Sequence, residues 1–238
     1  MMAAEPEVSV IIPTYNEEKY LRRTLEGILS QKADFGHEIV VADGNSTDST
    51  VEIARAAGAR VVFEPKRTIA AGRQAGFISA RGKILVSSSA DVHMKKDWLA
   101  KLVAPIREGG YVASAGPVIP KDGNLLEQAF EKGLLTPVAR GLSKVGFPYV
   151  VADNMAISAD IFNKVGGFDT NMVTAEDTYL AKKALKYGKF KFVKDAPVYI
   201  SMRRVRSWGY SRYLLYHGSN FFRYHFTGKS HGKYEPIR

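Results

Sequence analysis

Four short stretches hold the side chains whose types and spacing can do chemistry. "PTYNE" (13–17) offers Thr14, Tyr15 and Glu17, and "ADGNSTD" (42–48) offers Asp43. "SSSADVH" (87–93) sets Asp91 two residues before His93, and "TAEDTYL" (174–180) sets Glu176 beside Asp177. A carboxylate can hold a divalent cation, accept a hydrogen bond from a hydroxyl or take a proton, and a neutral imidazole can join a metal site. Each stretch also has a purely structural explanation. Asn16 can cap a helix whose dipole favours Glu17. Asp before Gly, as at Asp43, is common in turns. Asp91 can cap a loop, and Thr174 with Asp177 three residues on is a capping-box pattern.

The elements around these stretches decide whether they can meet. "VSVII" (8–12) is a β-branched apolar run suited to a buried parallel strand, and "EIVVAD" (38–43), "RVVFE" (60–64) and "KILVS" (83–87) are further strands. Between them lie helical patterns. The first places Tyr20, Leu21, Thr24, Leu25, Ile28 and Leu29 on one face. The second opens with the capping-box pair Ser49 and Glu52 and ends at Gly58; the third has Ala71, Ala75 and Ile78 as its apolar face. Strand and helix alternating at this spacing predict an α/β fold with a mostly parallel central sheet flanked by helices. Ligands bind beyond the carboxyl ends of such strands, which is where "PTYNE", "ADGNSTD", "EPKR" and "SSADVH" fall. After about residue 116 the alternation breaks down. "GPVIPKDG" is loop-like, "NLLEQAFEKGLL" a helix, "VVADNMAIS" a strand, "ADIFNKVGGFD" a short helix and "TAEDTYLAKKALKYG" a longer one.

Composition narrows the class. The 238 residues are 45% hydrophobic and 24% charged, as in an ordinary globular chain of one large domain. Absence of cysteine excludes disulfides, thiolate zinc sites and a thiol nucleophile. No apolar run is long enough to span a membrane, and the opening "MMAAEPEVSVIIP" has no basic region followed by an apolar core, so a cytoplasmic protein is expected. The segment 200–238 carries +7 of the net charge of +10 and is rich in aromatics, a composition that can meet an anionic lipid surface or a phosphorylated substrate. No nucleic-acid-binding motif accompanies the charge, and no nucleic-acid partner is expected. No G-x-G-x-x-G, H-E-x-x-H or G-x-S-x-G is present, and "GKS" (228–230) has Arg223 where a P-loop needs glycine.

"VSVIIPTYNEEKYLRRTLEGILSQ", "EIVVADGNSTDSTVEIA", "AAGRQAGFISARGKILVSSSADVH" and "NMAISADIFNKVGGFDTNMVTAEDTYLAKKALKYG" together resemble the inverting family 2 glycosyltransferases of GT-A fold. The resemblance implies a single domain, with a Rossmann-like nucleotide-sugar-binding half at about 8–115. An acceptor and catalytic half follows at about 116–200, then a basic aromatic C-terminal segment at 201–238. It implies that Thr14, Tyr15, Glu17, Asp43, Arg73 and Asp91 contact a nucleotide-sugar donor, UDP-linked in most of the family. A divalent metal, Mn²⁺ or Mg²⁺, would sit at Asp91 with His93 as a further ligand. The family's Asp-x-Asp is here Ser89-x-Asp91, one carboxylate short. By the same resemblance Asp177 is the general base, Glu176 supports it, and Asp153 and Asn154 border the sugar or acceptor, which is a saccharide or a lipid-linked molecule. For Asp153 and Asn154 a strand-edge turn is an equal explanation. "RRVRSW" (203–208) is similar to the Gln-x-x-Arg-Trp signature of processive synthases but lacks the glutamine and has an inserted serine, so a single transfer is expected. The missing carboxylate motivates the alternative of a non-catalytic nucleotide- or sugar-binding relative.

Overall fold

In the computed structural model, residues 5–123, 129, 133–134, 136–144, 147–148, 150–201 and 203–232 are described. The first half alternates as its periodicity requires: β1 (Val8–Thr14), α1 (Glu18–Leu29), β2 (His37–Asp43), α2 (Thr50–Ala56), β3 (Arg60–Phe63), α3 (Ile69–Ser79), β4 (Ile84–Ser87). The chain continues through β5 (Val92–Met94), α4 (Trp98–Glu108), β6 (Tyr111–Ala115), β7 (Val118–Pro120), α5 (Thr136–Lys144) and β8 (Met155–Ser158). It ends with α6 (Ala159–Val165), α7 (Glu176–Ala184), β9 (Lys189–Phe192), β10 (Val198–Ile200), α8 (Arg203–Trp208) and α9 (Tyr210–Thr227). The helix expected over "NLLEQAFEKGLL" falls largely outside the described residues. "GPVIPKDG" is not all loop, since it contains β7.

Seven strands form one sheet in the order β3-β2-β1-β4-β8-β6-β9. Six run in one direction and β8 is antiparallel to its neighbours β4 and β6. A second sheet, β5-β10-β7, stands apart from it. The fold is the expected α/β arrangement with a large, mostly parallel central sheet flanked by helices.

Both faces of β1 are buried, which is why its sequence is continuously apolar. Val8, Val10 and Ile12 pack with Leu21, Leu25 and Ile28 of α1 and with Trp98, Leu99, Leu102 and Val103 of α4. Ile11 points the other way, into a cluster with Phe77 of α3, Phe162 of α6 and Leu180 and Ala184 of α7. Leu29 of α1 is 54% exposed, one position beyond the buried stripe.

Of the expected inward face of α3, Ala71 is buried, Ala75 only partly so and Ile78 is 66% exposed, while Ala70, Arg73 and Phe77 are buried together with Gly72 and Gly76. A Cβ on Gly76 would lie 2.4 Å from Ile11 Cγ2, so α3 approaches β1 at glycine distance. Counting apolar residues misplaces this face, because two glycines and an ion-paired arginine carry it.

Candidate active site

The loops after β1 and β2 lock together. Asp43 is fully buried, and its carboxylate accepts hydrogen bonds from the Thr14 hydroxyl (3.0 Å), the Ser46 hydroxyl (2.6 Å) and the Ser46 N–H (2.8 Å). Asn16 does not cap α1: it sits at φ +54°, and its side-chain oxygen accepts from Thr47 N–H at 2.9 Å. Ser49 makes no side-chain cap either. The two helices cap each other instead, with Glu18 N–H donating to Asp48 at 3.2 Å and Ser49 N–H to Glu18 at 3.1 Å. The Arg67 guanidinium lies 4.9 Å from the Tyr15 ring centroid and donates to Gly44 O at 3.1 Å. Arg67 was legible only as part of a basic strand end.

Left-handed backbone at a non-glycine residue carries steric cost, and such residues cluster where structure over-determines them. Among the described residues Asn16, Asn45, Arg67 and Ala175 adopt it, in the loops after β1, β2 and β3 and just before α7.

Asp91 occupies the turn between β4 and β5, held from beneath by Thr24 of α1, whose hydroxyl lies 2.8 Å from Ala90 O and 2.9 Å from Val92 O. The Ser89 hydroxyl is 3.3 Å from Asp91 Oδ1. Glu17 faces the same place. Between Glu17 and Asp91 stands Arg203, at 3.1 Å from each carboxylate. Burial pushes the Glu17 carboxyl up from its ordinary value, and Arg203 pulls against that. His93 is placed differently from expectation. Its Nε2 accepts from Lys121 Nζ at 2.9 Å, which occupies that nitrogen, and burial together with Lys121 lowers its pKa.

Among the described residues no three His, Cys, Asp or Glu side chains form a metal-holding group. Hard cations such as Mg²⁺ take one or two carboxylates and complete their shell with substrate phosphates and water. Asp91 therefore fits a cation held jointly with a diphosphate and not one caged by protein alone.

Arg73 organises the acidic cluster. From α3 its Nε donates to Ser87 Oγ at 3.2 Å, one Nη pairs with Asp153 at 3.1 Å and the other pairs closely with Glu176. Its side chain is 7% exposed. The structure thus sets Arg73 among the carboxylates expected on the acceptor side, and it is fully paired there.

Asp177 lies next to this group. Its Oδ2 accepts from Ala152 N–H at 3.1 Å and its Oδ1 from Thr178 N–H at 2.6 Å. The capping-box explanation of Asp177 fails: Ala175 is the cap residue at φ +62°, with no side-chain cap bond. The Thr174 hydroxyl points instead to Asn220 Oδ1 at 3.3 Å and His231 O at 3.2 Å. Burial raises Asp153, Glu176 and Asp177, each against the pull of Arg73, and takes Glu176 to about 7.

Asn154 has a structural task rather than an open face. It is fully buried, accepts from Trp98 Nε1 at 2.9 Å, and donates to Pro117 O (2.9 Å) and Ala196 O (2.8 Å). This amide joins the start of β8 to α4 and to the segments leading into β7 and β10.

A parallel sheet with polar loops and paired acids gathered at its carboxyl edge has the layout of an α/β enzyme that takes its ligand at that edge. Residues 9–166 match the model of Glycosyl transferase family 2, and the chain belongs to that family. Glycosyltransferase AglE of Haloferax volcanii is 27% identical over 198 residues, covering 79% of this chain and 64% of AglE. The chain thus spans less than two thirds of that relative. Mannosyltransferase PcManGT from Pyrobaculum calidifontis, solved with GDP-Man and Mn²⁺, superposes with TM-score 0.70 at 23% identity, over 96% of this chain and 67% of that one. Glucosyl-3-phosphoglycerate synthase from Mycobacterium tuberculosis, solved with Mn²⁺, UDP and phosphoglyceric acid, gives TM-score 0.65 at 17% identity, over 92% and 78%. These likenesses show a GT-A-like fold.

Proposed function

We propose that the chain moves a sugar from a nucleoside-diphosphate donor, a UDP-sugar, to an acceptor hydroxyl or a lipid phosphate, in one displacement that inverts the anomeric carbon. The supporting observation is the pairing of Asp153 and Glu176 with buried Arg73, with Asp177 beside Glu176 in the first turn of α7. Thr14, Tyr15, Glu17 and Asp43 form the nucleoside side. Asp177 acts as general base: one oxygen receives the acceptor's proton as the acceptor oxygen bonds to the anomeric carbon and the bond to the donor phosphate breaks. The N–H groups of Ala152 and Thr178 hold the carboxylate in one orientation. A carboxylate raised by burial is a stronger proton acceptor, and this is the direction a general base needs. Asp91 would hold Mn²⁺ or Mg²⁺, which would supply positive charge for the departing phosphate. Glu176 and Asp153 keep Arg73 in place and border the sugar. The named neighbours' GDP-Man, UDP and Mn²⁺ support this reading of the donor and cation. Transfer from an α-linked donor, followed by NMR of the product's anomeric proton, tests it. A β-linked product is expected, and an α-linked one contradicts direct displacement.

We also propose that the acceptor side meets an anionic membrane surface through α9. Leu215, Phe222 and Phe226 lie along one side of that helix and are 73%, 61% and 81% exposed, in a segment with strong positive charge. Apolar residues on one helix face with basic residues around them suit the interfacial layer of a bilayer. No helix among the described residues is long and apolar enough to cross a membrane.

A further inference from the structure

Arg203 stands where the two carboxylates of the donor loops meet. Its Nε is 3.1 Å from Asp91 Oδ2, and its Nη2 is 3.1 and 3.3 Å from the two Glu17 oxygens. The Tyr20 ring backs the guanidinium at 4.8 Å. The three charged side chains are 23%, 14% and 16% exposed for Arg203, Asp91 and Glu17, so they are only weakly screened by water. Strand register brings them together. β10 runs antiparallel to β5 and pairs Ile200 with Val92, the residue after Asp91. The chain leaving β10 therefore enters α8 beside the Asp91 turn, with Arg203 in its first turn.

This contact neutralises two acids, and it also restricts what else Asp91 can bind. A guanidinium and a divalent cation on one carboxylate repel each other strongly at contact distance in a shielded site. Ser89 supplies no second charge that would let a cation displace the arginine unaided. A diphosphate changes the balance, because its oxygens bind cation and guanidinium together and suit the planar fork of arginine.

We propose that Arg203 is a tethered counter-ion that keeps free divalent cations off Asp91 and releases the carboxylate to a cation arriving with a nucleoside diphosphate. The inference rests on the donor site read above. Metal and nucleotide are then positively coupled, and the coupling is reciprocal. The order of loading follows: the empty site stays closed by Glu17–Arg203–Asp91, and the guanidinium moves onto phosphate oxygens when the donor enters.

The test is Mn²⁺ binding, read by electron paramagnetic resonance of the free ion, on the wild-type chain and on Arg203→Gln, with and without UDP or GDP. Without nucleotide, Arg203→Gln is expected to bind Mn²⁺ roughly tenfold or more tightly than wild type, within the usual range of coupling between sites. The gain in Mn²⁺ affinity from nucleotide, large in wild type, is expected to shrink in the variant. Equal Mn²⁺ affinities without nucleotide would overturn the proposal. If Arg203→Gln does not melt cooperatively, Arg203→Met carries the same comparison, since it removes the charge while keeping most of the apolar stem. Asp91→Asn is the control and is expected to lose Mn²⁺ in every condition. Mn²⁺ bound by neither chain even with nucleotide removes the donor-site reading itself, and this inference with it.

Discussion

Asp177 carries the chemistry proposed here, and its surroundings say how it should respond to change. Asparagine keeps the shape but only one of the two bonds from the Ala152 and Thr178 N–H groups, since its NH2 cannot accept, and it cannot take a proton. Asp177→Asn is expected to lower kcat by about 100- to 10,000-fold, the usual worth of a general base, with nucleotide affinity little changed in a titration. The acid limb of kcat/KM is expected above the ordinary aspartate value, because burial raises Asp177 against the pull of Arg73. Stability carries the opposite sign from the common carboxylate case. The folded state holds the Glu176 proton more tightly than the unfolded chain, so its contribution is present below about 4.5 and is lost as pH rises through about 7. Melting followed from pH 5 to 8 should show this fall in wild type and a flatter profile in Glu176→Gln. Arg73→Met leaves two acids without their cation, and chemical denaturation should show a loss of about 3–5 kcal/mol.

At the scale of elements, what the sequence made legible depended on whether a local period carried the information. β1, β2, β4 and the buried stripe of α1 follow from continuous apolar runs and 3.6-residue spacing, because burial alone selects those residues. The face of α3 does not, since close approach to β1 is made by Gly76 and the charge of Arg73 is met by acids 80 and 103 residues away. The helix caps differ for a similar reason, although α2 starts after Ser49 as expected and α1 one residue later than expected. Asn16 and Ser49 have cap chemistry, but partners across two loops claimed the helix N–H groups. The place of Arg203 depends on a β5–β10 pairing more than a hundred residues apart, which no local pattern records. Asp177 was found by family resemblance, while its local pattern argued for a cap that does not form. Two glycines give a matched test of the packing account. Gly76→Ala gains helix propensity but must push Ile11 and Ala42, and should destabilise by about 1–3 kcal/mol. Gly218→Ala in α9 meets nothing within 4 Å and should stabilise by up to about 1 kcal/mol, both read from urea melts.

At the scale of the whole molecule, acidic loops gather at one sheet edge while positive charge gathers in the C-terminal segment. α9 joins the two regions: its inner side buries Tyr224 and Asn220 near the start of α7, and its outer side exposes Leu215, Phe222 and Phe226. Replacing those three by serine should lower partitioning to vesicles containing anionic lipid, with nucleotide binding unaffected, and unchanged sedimentation with such vesicles would exclude α9 as the contact. The direct test of the central claim is donor binding and turnover measured side by side for wild type, Asp91→Asn and Asp177→Asn with UDP-sugars and GDP-sugars. The expected result is that Asp91→Asn loses nucleotide affinity, while Asp177→Asn keeps it and loses turnover. Wild-type chain that binds nucleotide without turnover, or Asp177→Asn that turns over at the wild-type rate, would contradict the assignment of this edge as a transferase site with Asp177 as its base.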